Sequence, residues 1–225
     1  MINYHPSHDM LLAHASGELE LAMATAVSAH CELCPQCQQT LLQMTQRQAE
    51  QVLPLVDPTV EACETQVQLD DMMLNIMQTS TNVDAMPEAI DFTAHCTVTV
   101  KGEQFSLPTA FKQQVEHAWN GMGKVSRMRL EAEKGAPRAS LLHIEAGGEI
   151  PEHTHQGCEI TLLLEGHFED EYHHYGPGDF IVLNGQHQHS PRTKEGCLCY
   201  TVVDAPLHFT KGISKLLNPI GELIY

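Results

Sequence analysis

The chain has 225 residues, with 29 Asp and Glu against 12 Lys and Arg, for a formal net charge of −17. So acidic a balance argues against binding to a phosphate backbone, which needs clustered Lys and Arg, and suits docking on a basic partner. No apolar run approaches a membrane span, and Met1-Ile2-Asn3-Tyr4-His5-Pro6 has neither the basic nor the apolar segment of a signal peptide, so a cytoplasmic protein is expected.

Pro6-Ser7 offers an N-cap for a short helix carrying Met10, Leu11, Leu12 and Ala15, which Gly17 can end. A second helix is predicted from about Glu18, with Leu19, Met23, Ala26, Val27 and His30 along one side. It runs into His30-Cys31-Glu32-Leu33-Cys34-Pro35-Gln36-Cys37, the densest run of metal-ligating side chains in the chain. Cys34 and Cys37 form a C-x-x-C whose bite lets two thiolates reach one Zn²⁺, and His30 lies four residues before Cys34, one helical turn away. Structural zinc takes four ligands, and His5 is the best remaining donor. Cys31 could replace His30, and His8 or His14 could replace His5. A redox pair is the competing reading, but such motifs sit where a strand meets a helix, and no strand pattern precedes this one.

Pro35 suits the first position of a third helix through Leu41, Leu42, Thr45 and Ala49, and Leu53-Pro54-Leu55-Val56-Asp57-Pro58 breaks the pattern. Helices this short bury little apolar surface, so a zinc ion worth about 10 kcal/mol or more of coupled folding energy would decide their stability. Leu69, Met72, Met73, Ile76 and Met77 then form an apolar stripe. It is either an adaptable, Met-rich binding face or a helix closing its own core. Residues 78–92 read as a linker, giving a helical domain at 1–77 and a second domain at 93–225.

Beyond the linker the period changes to two, with strands expected at 96–100, 125–130 and 140–144 and a turn at Lys134-Gly135-Ala136-Pro137. His153 and His155 stand two apart on an extended segment, so both imidazoles share a face, and Glu159 can bring a carboxylate to the same ion. The turn Gly176-Pro177-Gly178-Asp179 leads to Phe180-Ile181-Val182-Leu183 and then to His187-Gln188-His189. His143, His167, His173 and His174 read as surface or packing residues. Cys197 and Cys199 share a strand face, as core thiols or, near a metal, as oxidation sites.

Gly148, His153, His155, Glu159 and Gly166, followed by Pro177-Gly178-Asp179 and His189, resemble the two motifs of the cupin superfamily. That resemblance implies an antiparallel β-barrel holding Zn, Fe, Mn or Ni, with His187 as the alternative to His189. With His5-Pro6-Ser7, Leu11-Leu12, Gly17, His30-x₃-Cys34-Pro35-x-Cys37 and Gly196-Cys197-Leu198-Cys199, nearly the whole chain resembles the ChrR family of zinc-binding anti-sigma factors. The resemblance implies an α+β chain of two domains, a small zinc-bound bundle of three to four helices followed by a cupin. It places zinc on His5, His30, Cys34 and Cys37, and a second metal on His153, His155, Glu159 and His189. It also implies a one-to-one complex with a group IV (extracytoplasmic-function) sigma factor, released on oxidative challenge by singlet oxygen or organic hydroperoxide. On that reading Leu69 to Met77 is a sigma-contacting helix, and the chain binds neither nucleic acid nor membrane and is no enzyme. A metal-dependent cupin enzyme of the dioxygenase kind, with the helical part as an assembly module, is the alternative. A zinc redox switch on Cys31, Cys34 and Cys37 is the third reading.

Overall fold

The break between Leu33 and Pro35 fixes the helical part. Proline carries no N–H, so it is tolerated at a helix start but not in a helix interior. In the computed structural model, which describes residues 1–53, 65–78, 96–112, 114, 118–130, 137–155, 157–205 and 207–210, one helix ends and the next begins there. Helix α1 is His8–Ala15, α2 is Leu21–Leu33, α3 is Pro35–Val52 and α4 is Thr65–Gln78. The hydroxyl of Ser7 caps α1 by accepting from the Met10 N–H at 3.2 Å. The second helix starts three residues later than its apolar pattern predicts, because Glu20 is its extended cap and Leu19 lies before it.

Among the described residues thirteen strands follow, all paired antiparallel: β1 (Cys96–Val100), β2 (Glu103–Leu107), β3 (Trp119–Met122), β4 (Val125–Arg129), β5 (Arg138–Ile144), β6 (His153–His155), β7 (Glu159–Gly166), β8 (Phe168–Glu169), β9 (His174–Tyr175), β10 (Phe180–Leu183), β11 (Gln188–His189), β12 (Cys197–Val203) and β13 (Leu207–Phe209). A six-stranded sheet runs in the order β10-β7-β12-β5-β4-β3, and a three-stranded sheet in the order β11-β6-β13. Two hairpins, β1-β2 and β8-β9, complete the described strands. Gly166 closes β7 at φ +78°, where a Cβ would overlap the Gly196 carbonyl, so this turn accepts only glycine.

By compactness the chain forms two units, Met1–Thr45 with His95–Tyr225, and Gln46–Ala94. In the first unit α2 lies on the large sheet, not apart from it. Its small residues Ala26 and Ala29 and the neighbouring Val27 are fully buried, and the Tyr200 hydroxyl of β12 donates to the Ala22 carbonyl at 3.0 Å. At the far end of α2, the Glu32 carboxylate accepts from the N–H groups of Thr109 (2.7 Å) and Ala110 (3.1 Å) and from the Thr109 hydroxyl (2.8 Å). It thereby caps a 3₁₀ turn at Thr109–Phe111. Phe111 packs on Tyr200 with ring centroids 5.0 Å apart. Consistent with a sheet covered on both faces, Cys197, Leu198, Cys199 and Tyr200 are all buried in succession.

In the second unit, α4 occupies the stretch where the apolar stripe predicts a helix. Met72, Met73, Ile76 and Met77 on it are each more than half exposed. The side chain of Leu69, residues 54–58 of the helix-breaking stretch, the linker beyond Gln78 and the turn residues Lys134 to Ala136 lie outside the described residues.

Candidate metal centres

The first group forms where the N-terminal segment meets the α2–α3 break. Cys34 is no longer helical (φ −118°, ψ 99°), so it and His30 do not project from one helix face as the spacing predicts. Instead the extended Cys34 turns its thiol back towards Cys37, in the first turn of α3, and towards His5. His5 Nδ1 stands 3.4 Å from His30 Nε2, 3.5 Å from Cys34 Sγ and 3.4 Å from Cys37 Sγ. Tetrahedral zinc with Zn–N of about 2.0 Å and Zn–S of about 2.3 Å sets N···N at about 3.3 Å and N···S at about 3.5 Å. The four donors therefore fit such an ion. His30, Cys34 and Cys37 are buried and His5 is half-buried.

His30 shows which nitrogen faces the ligand set: its Nδ1 donates to the Gly178 carbonyl at 2.8 Å, leaving the Nε2 lone pair inward. Burial pushes the His30 pKa down to about 4, which keeps the ring neutral. Burial, with the neighbouring Cys34, pushes the Cys37 thiol up to about 12, so a metal must displace its proton. Cys31 is also buried, with its pKa raised to about 11, but stands outside the four-donor group. His14 faces Ser28 at 3.3 Å and His8 is exposed; neither joins the group.

The second group is built from strand alternation. β6 sends His153 and His155 inward, and its register with β11 sets His189 directly opposite His153. His189 Nε2 lies 3.0 Å from His153 Nε2 and 3.2 Å from His155 Nε2, and the Glu159 carboxylate on β7 reaches His155 Nε2 at 2.7 Å and His189 Nε2 at 3.6 Å. All four are buried. Three imidazole nitrogens converging this closely on a carboxylate match a metal ligand set. His155 Nδ1 is buried without a hydrogen-bond partner among the described residues, and the buried Glu159 Oε2 faces the imidazole nitrogens of the group, where a cation would neutralise it. Burial opposes ionisation of Glu159, but the hydrogen bond and charge of His155, with His189 and His153, hold its pKa below the ordinary value. Burial and the charge of His189 push His153 down to about 4.

Outer partners set the tautomers here too. His153 Nδ1 donates to the Pro151 carbonyl at 2.8 Å, and His189 Nδ1 faces Asp170 Oδ2 at 3.4 Å, so both Nε2 atoms point inward. Asp170 is the neighbour of the group that sequence reading misses. Its side chain is 1% exposed, and it accepts from the N–H groups of Tyr172 (2.9 Å) and His173 (3.0 Å). In Glu169-Asp170-Glu171 nothing distinguishes it from two carboxylates of a solvated loop. A cavity of about 30 Å³ adjoins the group, lined by Phe168, Ile181, Leu183 and Cys199 together with His153, Glu159 and His189. His187 turns to Asn184 (3.0 Å) and does not reach the group. His167, His173 and His174 are exposed, and His143 is buried against Phe105. Cys197 and Cys199 are both buried free thiols.

Residues 111–206 match the family described as the ChrR cupin-like domain. The anti-sigma-E factor ChrR of Cereibacter sphaeroides is 28% identical over 228 residues, covering 99% of this chain and 99% of that protein. The chain is thus similar to ChrR over nearly its whole length. The crystal structure of Rhodobacter sphaeroides SigE in complex with the anti-sigma ChrR matches this fold with a TM-score of 0.63 and 23% identity, covering 91% of this chain and 100% of that one. A ChrR-like chain thus carries both four-residue groups, with donors that could hold a metal in each. No helix among its described residues is long and apolar enough to cross a membrane.

Proposed function

We propose that this chain is an anti-sigma factor. It binds an extracytoplasmic-function (group IV) sigma factor one-to-one through the segment 1–77, and its cupin segment, 93–225, is the sensor. The observation that carries this reading is the likeness to an anti-sigma-E factor over 99% of both chains. Zinc is the metal of His5, His30, Cys34 and Cys37, because two thiols and two imidazoles at tetrahedral spacing suit it best. The all-N/O group His153, His155, Glu159 and His189 suits Zn, Fe, Mn or Ni.

The exposed Met72, Met73, Ile76 and Met77, with Leu69 on the same stripe, form the sigma-contacting face, since thioether chains adapt to a partner's relief. The excess of acidic residues favours surfaces on sigma that otherwise meet DNA, so nucleic acid is not itself a ligand. The cavity of about 30 Å³ beside the second group has room for about two water-sized molecules. That space suits detection of a small oxidant better than turnover of an organic substrate, so the chain is read as a cytoplasmic regulator and not a dioxygenase. Singlet oxygen or a hydroperoxide is the proposed trigger of release.

The test is transcription by core RNA polymerase reconstituted with each extracytoplasmic-function sigma factor of the host. Adding the zinc-loaded chain should silence one of them, and Met73→Asp with Ile76→Asp should weaken that inhibition at least tenfold. Undiminished transcription with every such sigma factor would reject the reading.

A further inference from the structure

The two ligand groups share a wall. The turn from Gly176 to Phe180 in the barrel receives the N-terminal segment that carries His5. Asp179, 1% exposed, accepts from the N–H groups of Asn3 (2.7 Å) and Tyr4 (3.1 Å) on one carboxylate oxygen and from Gly176 N–H (2.8 Å) on the other. The Phe180 N–H donates to the Tyr4 carbonyl at 3.0 Å, and His30 Nδ1 donates to the Gly178 carbonyl of the same turn. Gly178 sits at φ +89°, and a Cβ there would overlap Ile2, so this glycine both shapes the turn and lets the N-terminus lie on it. Thus the outer half of the first group is supplied by the barrel.

The same segment leads to the second group. The Tyr4 ring stands 5.2 Å from that of Tyr175, whose hydroxyl is 3.4 Å from each carboxylate oxygen of Asp170. Asp170 in turn faces His189. We infer that these contacts couple the two metal sites, so that loading either one raises the affinity of the other. The physical basis is shared ordering. A metal on His189 fixes Asp170 and Tyr175, hence the surface on which Tyr4 lies, and Tyr4 directly precedes His5. The entropy of ordering this wall is then lost once for both ions, and linkage makes the effect reciprocal. The inference needs a metal in each group but no sigma partner, so it stands or falls apart from the anti-sigma reading.

Thiol ligands occur only in the first group, so the sulfur-to-Co²⁺ charge-transfer band of the cobalt-loaded chain reports that site alone. Chelator competition should show Co²⁺ held at least about fivefold more weakly there in His153→Ala, which disables the second site, than in the unaltered chain. In a Tyr4→Ala background the same comparison should shrink to within about twofold. Equal affinities in the Tyr4 chain, or a difference untouched by Tyr4→Ala, would overturn the inference. A second measurement guards against damage to the barrel by His153→Ala. In the chain with Cys34→Ser and Cys37→Ser, adding Zn²⁺ to the intact second site should slow amide hydrogen exchange at Asn3 and Tyr4. Unchanged exchange there would also overturn it.

Discussion

The two ligand groups solve one problem in opposite ways. The second draws all four donors from three strands: the period of two on β6 aims His153 and His155 to one side, the β6–β11 register sets His189 opposite, and the start of β7 in the other sheet supplies Glu159. Its donors are all buried, and the residues that line its cavity come from the strands and their loops, not from the helices. The first group is assembled from chain interruptions: an extended N-terminal segment, the end of α2 and the first turn of α3. One of its donors stays half-exposed, and its outer contacts come from a turn more than 140 residues further along. A sheet can position a metal by itself, whereas short helices need the metal and a second surface to be positioned at all.

The largest expected effect removes the weaker framework. With Cys34→Ser and Cys37→Ser, the first group loses its thiol ligands, and about one metal equivalent per chain should vanish on elemental analysis, while the barrel keeps its own. Loss of both equivalents would show that the barrel site is not self-supporting.

Proton competition separates the sites next. Because Cys37 is pushed up to about 12, each ion entering the first group must displace its proton, and Cys34 is a second thiol ligand there, so affinity should fall by at least about tenfold for each unit of pH lowered from 8 to 6. In the second group His153, pushed down to about 4, is already neutral across that range and gives up no proton on binding. Chelator titrations at three pH values check the contrast, and a flat profile at the thiol site would contradict it.

A smaller effect is expected from Asp170→Asn, which keeps the shape of the side chain but weakens its hold on His189. Metal affinity at the second group should drop by about 10-fold to 100-fold, with the thiol-to-cobalt band of the first group unchanged in position. Unaltered affinity would remove Asp170 from the site.

Much of this was legible because its signals are local. The H-x-H of β6 and the Pro35 break are spacing rules, and the short segment between His30 and Cys37 concentrates its donors. Three to four helices followed by a run of strands could be read from a change of period, and the antiparallel barrel only from the cupin resemblance. The rest depends on contacts distant in sequence. Asp170 acquires its role only when β11 places His189 beside it, and two-residue strands such as β8, β9 and β11 are too short to show a period. The seating of α2 on the large sheet left one overlooked trace. Cys197 to Val203 is apolar nearly throughout instead of alternating, which in an antiparallel strand means that both faces are covered. Likewise, Gly178-Asp179 reads as a barrel turn, and nothing local says that it also holds the N-terminus.

The anti-sigma reading is tested most directly by purifying the tagged full-length chain from its native cell, identifying stoichiometric partners by mass spectrometry and counting metal. The account predicts one sigma factor per chain with about two metal ions, and loss of that sigma factor when Cys34 and Cys37 are replaced by Ser. A chain recovered with its metals and no sigma factor would contradict it, and iron in the barrel would then point to cupin enzyme chemistry.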